Sequence, residues 1–208
     1  QYNPYDNCVM LSNQSNYRGV ITADCVRFGG GMGNVARMSP GMSTGSGSGL
    51  PRFLEGSRYY SQWAGVPYHI YSPFESADDY SDDIKSRPLV ANYVARGSVY
   101  LPGDSGLCVP LELSLGVHSD AGWRPDHTHI GTLGIYTTDW NNGVTGAGLS
   151  RLTSRDLVDM IMSHIKKDMD INFGQWTRRQ MYDKNYGESR EPLIPGIILE
   201  TLSHQNFW

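Results

Sequence analysis

Two residues of the sequence combine a reactive side chain with a position where hydrolytic chemistry is feasible. His118 follows an alternating apolar stretch at residues 111–117, and Glu200 follows an apolar run at residues 193–199. An imidazole that emerges from a buried strand among small neighbours is well placed to bind a metal ion, although a lone histidine is more often a hydrogen-bonded core residue. A carboxylate after an apolar run is costly unless it meets a cation, a metal or hydrogen-bond donors. Glu200 is therefore either half of a salt bridge at a strand end or a general base that acts on a metal-bound water.

Further candidates lie along the chain. Glu55 lies at the start of a predicted helix after a glycine loop, where it is either a surface or capping carboxylate or a metal ligand. His127 and His129 alternate in a loop and either line the same cleft or lie on plain surface. The glycine cluster at 29–33 is not a dinucleotide-binding fingerprint, because the Gly/Ser-rich loop at 39–49 replaces the helix that would receive a pyrophosphate.

The elements that must position these residues follow from hydrophobic periodicity. We predict strands at 19–28, 68–71, 111–118, 130–137 and 193–199, and helices at 51–64, 84–96 (broken or started around Pro88) and 154–165. The last helix is capped by Ser154 and carries one apolar stripe. Alternating strands and helices predict a three-layer α/β domain, with a central mixed, mostly parallel sheet flanked by helices. Functional groups gather at the ends of such strands, so His118 and Glu200 are expected to meet there.

Bulk properties limit the class of protein. The 208 residues, 39% hydrophobic and 18% charged, fit one compact domain. A net charge of -4 provides no basic field, which argues against nucleic acid as the main partner. No apolar run is long enough to span a membrane, and residues 1–30 lack a signal peptide pattern. Low charge with many Tyr, Gly and Ser residues favours an exported protein that handles glycans, while Cys8, Cys25 and Cys108 permit at most one disulfide.

Two motifs carry a resemblance to a known family. Leu-Gly-Val-His-Ser-Asp-Ala-Gly at 115–122 resembles the strand-plus-histidine motif of zinc-dependent N-acetylmuramoyl-L-alanine amidases of the amidase-3 type. Ile-Ile-Leu-Glu-Thr-Leu-Ser-His-Gln-Asn at 197–206 resembles the second motif of that family. Residues 24–34, 51–60 and 202–207 are similar to the Bacteroidetes branch labelled xanthan lyase or golvesin-containing amidase. The resemblance covers most of residues 18–207.

The resemblance implies a phosphorylase/hydrolase-like zinc amidase fold, with an N-terminal extension at 1–17 and a catalytic domain at 18–208. It implies a secreted, periplasmic or cell-surface hydrolase that uses Zn²⁺ to cleave the amide between N-acetylmuramic acid and L-alanine in cell-wall peptidoglycan. The roles it implies are Glu200 as the catalytic residue, His118 and Glu55 as metal ligands, and Asp120, Arg27 and His129 as substrate contacts.

The sequence departs from the family at the first zinc ligand, which normally lies in a Gly-His-Gly turn. The turn that matches superficially holds Arg27, and a guanidinium stays protonated and cannot bind zinc. One explanation is that an upstream segment before Gln1, or a separate chain, supplies the missing histidine and glutamate. The other is that Glu55 takes the glutamate position, and Asp24 or another histidine completes the set. The alternative function is a catalytically inactive domain that keeps the amidase fold and binds glycan or cell-wall peptide.

Overall fold

The computed structural model describes Asn16 and residues 52–103, 105–120, 122, 124 and 129–203. The predicted boundary at residues 17 and 18, the strand at 19–28, the glycine cluster and the Gly/Ser loop at 39–49 lie outside these residues. The described helices are α1 (Ser57–Trp63), α2 (Tyr68–Tyr71), α3 (Asp79–Ala95), α4 (Leu152–Phe173) and α5 (Gly187–Arg190). The described strands are β1 (Ser114–Asp120), β2 (Leu133–Tyr136), β3 (Tyr182–Asp183) and β4 (Gly196–Ser203).

The four strands form one sheet in the order β1-β4-β2-β3. β1 pairs with β4 and β2 with β3 in parallel, whereas β2 and β4 are antiparallel. Helix α4 packs on one face of β2 and β4, and α5, which also contacts α3, packs on the other. The predicted three-layer α/β arrangement with a mixed, mostly parallel sheet is confirmed.

The apolar stripe of α4 builds the main core. Val158 and Met162 are fully buried against Ile197 and Leu199 of β4. Burying one such side chain contributes about 1.5–3 kcal/mol. The stripe predicted from the sequence is confirmed, but Arg151 rather than Ser154 is the N-cap. Ser154 instead lies in the first turn, where its hydroxyl accepts a hydrogen bond from the backbone of Gly196 at 3.2 Å.

Helix α3 begins earlier than the sequence predicted. The carboxylate of Asp78 accepts hydrogen bonds from the backbone N–H groups of Tyr80 and Ser81, which caps the helix. The acidic stretch interpreted as a turn is therefore its first turn. Pro88 lies inside the helix, which nevertheless continues to Ala95.

Two other predicted elements differ from the structure. Residues 68–71 form the helical turn α2 and not a strand, because Pro67 precedes them and Tyr68 packs edge-to-face on Tyr71 with ring centroids 5.5 Å apart. The helix predicted at 51–64 is divided at Gly56, the N-cap of α1, and the preceding residues Arg52–Leu54 form a 3-10 turn.

Strand β1 lies at the sheet edge in the part of the chain that the structure describes. The sequence predicted a buried strand, but Leu115 and Val117 are exposed. Gly116 and His118, on the other face of the strand, are partly covered.

No described helix is both long and apolar enough to cross a membrane. Cys108 is an exposed free thiol.

Candidate functional site

His118 and Glu200 lie side by side in the sheet. They are register partners on the parallel strands β1 and β4, where neighbouring strands lie about 4.8 Å apart. Both side chains line a cavity of about 370 Å³ between the sheet and helices α3 and α5. Both residues lie inside their strands and not at the ends, because β1 continues to Asp120 and β4 to Ser203.

The sequence did not single out the side chain that forms a hydrogen bond with the imidazole of His118. Glu188 of α5 is 9% exposed, and its Oε2 lies 2.6 Å from Nε2 of His118. A Cβ atom added at Gly116 would lie only 2.5 Å from this oxygen. The absence of a side chain at Gly116 therefore leaves the space through which Glu188 reaches the imidazole.

Arg87 links this pair to helix α3. Its guanidinium donates to Oε1 of Glu188 at 2.5 Å and to Oδ2 of Asp83 at 2.9 Å. Asp83 is itself buried and accepts a hydrogen bond from the backbone of Arg58 at 3.0 Å. The result is a charged chain in the order Asp83, Arg87, Glu188 and His118, which anchors the imidazole to the helical layer.

This chain sets the charge of its members. Burial acts to raise the pKa of Glu188, but hydrogen bonds from His118 and Arg87 outweigh it and hold that pKa below its ordinary value. The hydrogen bond to Glu188 raises the pKa of His118, against the opposing effects of burial and of Arg87. The geometry thus favours an imidazolium–carboxylate pair, and a metal ion that binds His118 must displace a proton.

A second cavity adjoins the first. It has a volume of about 520 Å³ and is lined by Arg87, Gly116, Val117, His118, Ser119 and Glu188. Because consecutive residues of β1 line it, this cavity follows the edge of the strand. The two cavities share Arg87, His118 and Glu188, and together we call them the His118 cleft.

The other predicted site residues lie elsewhere or outside the described part. Glu55 lies between the 3-10 turn and α1, Asp120 forms an ion pair with Arg179, and the ring of His129 stacks on Trp176 at 4.5 Å. None of these three is among the described residues that line the His118 cleft. Arg27 lies outside the residues that the structure describes.

The side chains beside His118 are of the types that bind zinc, but the described residues supply fewer of them than a zinc site needs. Zinc takes imidazole nitrogen and carboxylate oxygen, usually from three or four protein ligands. His118 and Glu188 are donors of these types within hydrogen-bond distance of each other. Across the described residues, however, no group of three His, Cys, Asp or Glu side chains is placed to hold a metal ion.

Comparisons with known proteins identify no relative. The chain matches no model of a protein family, no curated protein and no solved structure. The geometry of the His118 cleft is therefore the basis for assigning a function.

Proposed function

We propose that the His118 cleft is the active site of a zinc-dependent hydrolase that cleaves the amide between N-acetylmuramic acid and L-alanine in peptidoglycan. The observation that carries this proposal is the alignment of His118 with Glu200 across β1 and β4, both facing one cleft. An imidazole and a nearby carboxylate are the ligand and the proton carrier that metal-assisted amide hydrolysis needs. Such a substrate places the protein in the periplasm, at the cell surface or outside the cell.

Zinc, when bound, lowers the pKa of a water molecule and polarises the amide carbonyl. His118 would be one ligand, and Glu188 is a second donor within reach of the same imidazole. Glu55 does not line the described cleft, so an upstream segment or a separate chain would complete the set. Arg87 holds the carboxylate of Glu188 in place through its 2.5 Å hydrogen bond, which fixes the orientation of both donors.

Glu200 is the proton carrier in this scheme. Its carboxylate accepts a proton from the attacking water as the C–O bond forms. It then delivers that proton to the leaving nitrogen of L-alanine as the C–N bond breaks. Its position as the register partner of His118 supports this role, because the two side chains then lie side by side.

The test is hydrolysis of a purified muropeptide by zinc-supplemented protein. We expect the wild-type chain to release the L-alanyl peptide, and Glu200→Gln to reduce this release by roughly 10²- to 10⁴-fold, the range of general acid–base catalysis. Leu202→Ala, an exposed change on the same strand, is the matched control and should retain activity. Unchanged hydrolysis by Glu200→Gln would remove Glu200 from the mechanism.

A second candidate is a binding domain that has lost catalysis. Two observations favour it: Nε2 of His118 is already occupied by Glu188, and the described residues contain no three-ligand group. The zinc content of the purified protein separates the two candidates. The hydrolase requires close to one equivalent of zinc per chain, and His118→Ala should lose it. Less than about one tenth of an equivalent, with muropeptide binding retained, supports the binding domain.

A further inference from the structure

The 370 Å³ cavity is the smaller half of the His118 cleft, and the 520 Å³ cavity is its larger half. The smaller half has two exposed aromatic rings. Tyr80 of α3 is 45% exposed and Tyr186, the N-cap of α5, is 53% exposed, and both line the 370 Å³ cavity. No described residue forms a hydrogen bond with either phenol hydroxyl. Two aromatic rings left open to solvent in one cavity offer apolar faces and free hydroxyls to a ligand.

The rest of this cavity is divided between apolar and charged side chains. Ile84, one turn after Tyr80, and the buried Ile198 supply apolar surface. Arg87, His118, Glu188 and Glu200 supply the charged surface of the same cavity. A ligand that fits must therefore be amphipathic, with one apolar face and several polar groups.

We propose that Tyr80 and Tyr186 form a subsite for the pyranose ring of the substrate, so that the sugar lies on the α3/α5 side of His118. This inference rests on the proposed function and adds the orientation of the substrate. A pyranose has an apolar C–H face that packs on aromatic rings and an edge of hydroxyl groups that accepts and donates hydrogen bonds. A volume of about 370 Å³ is at the lower end for small-molecule sites, which suits one substituted ring better than a polymer segment.

The larger half of the cleft suits the peptide side of the scissile bond. It runs along residues 116–119 of β1, which lies at the sheet edge in the described part of the chain, and an extended peptide can pair with an edge strand. Its described lining contains no aromatic side chain. The two halves meet at His118, so a sugar on one side and a peptide on the other would bring the connecting amide to His118 and Glu200.

The experiment measures binding without hydrolysis. The probe is the peptide-free disaccharide of N-acetylglucosamine and N-acetylmuramic acid, titrated by calorimetry into protein without added zinc. We expect Tyr80→Ala and Tyr186→Ala each to raise the Kd roughly fivefold, the loss of one aromatic stacking contact. Tyr80→Phe and Tyr186→Phe keep the stacking face and should stay within about twofold of the wild type.

The matched control is Tyr182→Ala, since Tyr182 is 40% exposed on β3 and does not line the described cleft. Its Kd should equal that of the wild type, and melting temperatures show whether each variant is folded. Binding that is absent in the wild type, or equal in the wild type and in both folded alanine variants, would overturn the subsite.

The two proposals fail in different ways. Disaccharide binding that depends on Tyr80 and Tyr186, in a protein that never hydrolyses muropeptide with zinc, contradicts the hydrolase and leaves the subsite standing. Hydrolysis that requires Glu200, with an unchanged KM in Tyr80→Ala and Tyr186→Ala, contradicts the subsite and leaves the hydrolase standing.

Discussion

The two faces of the sheet are built from different interactions. On the α4 face, Val158, Met162, Ile197 and Leu199 form an apolar core. On the opposite face the charged chain from Asp83 to His118 lies beside the smaller cluster of Leu133, Ile135 and Ile198. One face is organised by burial of apolar area and the other by charge pairs that surround a cleft. We infer that the first carries the stability of the fold and the second carries its chemistry.

The largest effect on stability is expected on the α4 face. Met162→Ala removes a fully buried side chain and leaves a cavity, which should lower the free energy of unfolding by about 3 kcal/mol. Met160→Ala is the same change on the exposed side of the same helix, where Met160 is 57% exposed, and should change it by less than about 0.5 kcal/mol. Urea denaturation of both variants measures the difference. Equal values would show that α4 does not pack as described.

Two glycines on the strands that flank β4, Gly134 on β2 and Gly116 on β1, test the two faces separately. A Cβ at Gly134 would collide with Val158 and Met162, so Gly134→Ala should cost about 1–3 kcal/mol of stability. A Cβ at Gly116 would instead meet the carboxylate of Glu188. Gly116→Ala should therefore change stability less, by about 1 kcal/mol or below, while it weakens zinc binding roughly 10-fold or more. Calorimetry with zinc and thermal melting give the two numbers, and the reverse ranking would contradict the assignment of the faces.

The charge of Glu188 is expected to have a moderate effect on stability. Glu188→Gln keeps the shape but removes the ionic partner of Arg87 and His118. Because both partners are partly exposed, the loss should be about 1–2 kcal/mol, less than for a fully buried ion pair. Denaturation at neutral pH without metal measures it. Glu191→Gln, which alters a neighbouring carboxylate paired with Lys85, tests whether any lost charge in this region has the same effect.

The smallest effect on stability is expected at Asp78, the N-cap of α3. This helix carries Tyr80 and Arg87, which line the cleft. Hydrogen bonds from the Ser81 side chain and backbone lower the pKa of Asp78 below 3.8. Because the pKa of Asp78 is lowered in the folded state, its ionised carboxylate stabilises the fold at pH values above 3.8. This stabilisation is lost as the pH falls through the lowered pKa. The melting temperature of the wild type should therefore exceed that of Asp78→Asn at pH 6, and the gap should close below about pH 4. A gap that is constant down to pH 2 would contradict the role of the ionised cap.

The α4 face was predictable from the sequence and the charged face was not. The stripe from Leu157 to Ile165 and the apolar run before Glu200 are local patterns, and they predicted a helix and a strand at these places. The bounds differ, because the helix is Leu152–Phe173 and the strand is Gly196–Ser203. The pair of Asp83 and Arg87, four residues apart, becomes recognisable once α3 is assigned.

Glu188 had no comparable signal. Its partners His118 and Arg87 are 70 and 101 positions away in the sequence, so only the packing of α5 against β4 and α3 brings them together. Alternation in β1 likewise predicted a strand without showing which face is covered, because an edge position depends on neighbours from elsewhere in the chain.

The central claim is that His118 is a zinc ligand in a hydrolytic cleft. Anomalous diffraction at the zinc edge, from crystals of the zinc-loaded chain, tests it most directly. We predict a peak about 2.0–2.1 Å from a ring nitrogen of His118, with the Glu188 carboxylate displaced from its 2.6 Å contact or bound to the ion. A fully loaded crystal with no peak beside His118, and with His118 still paired to Glu188, would contradict the claim.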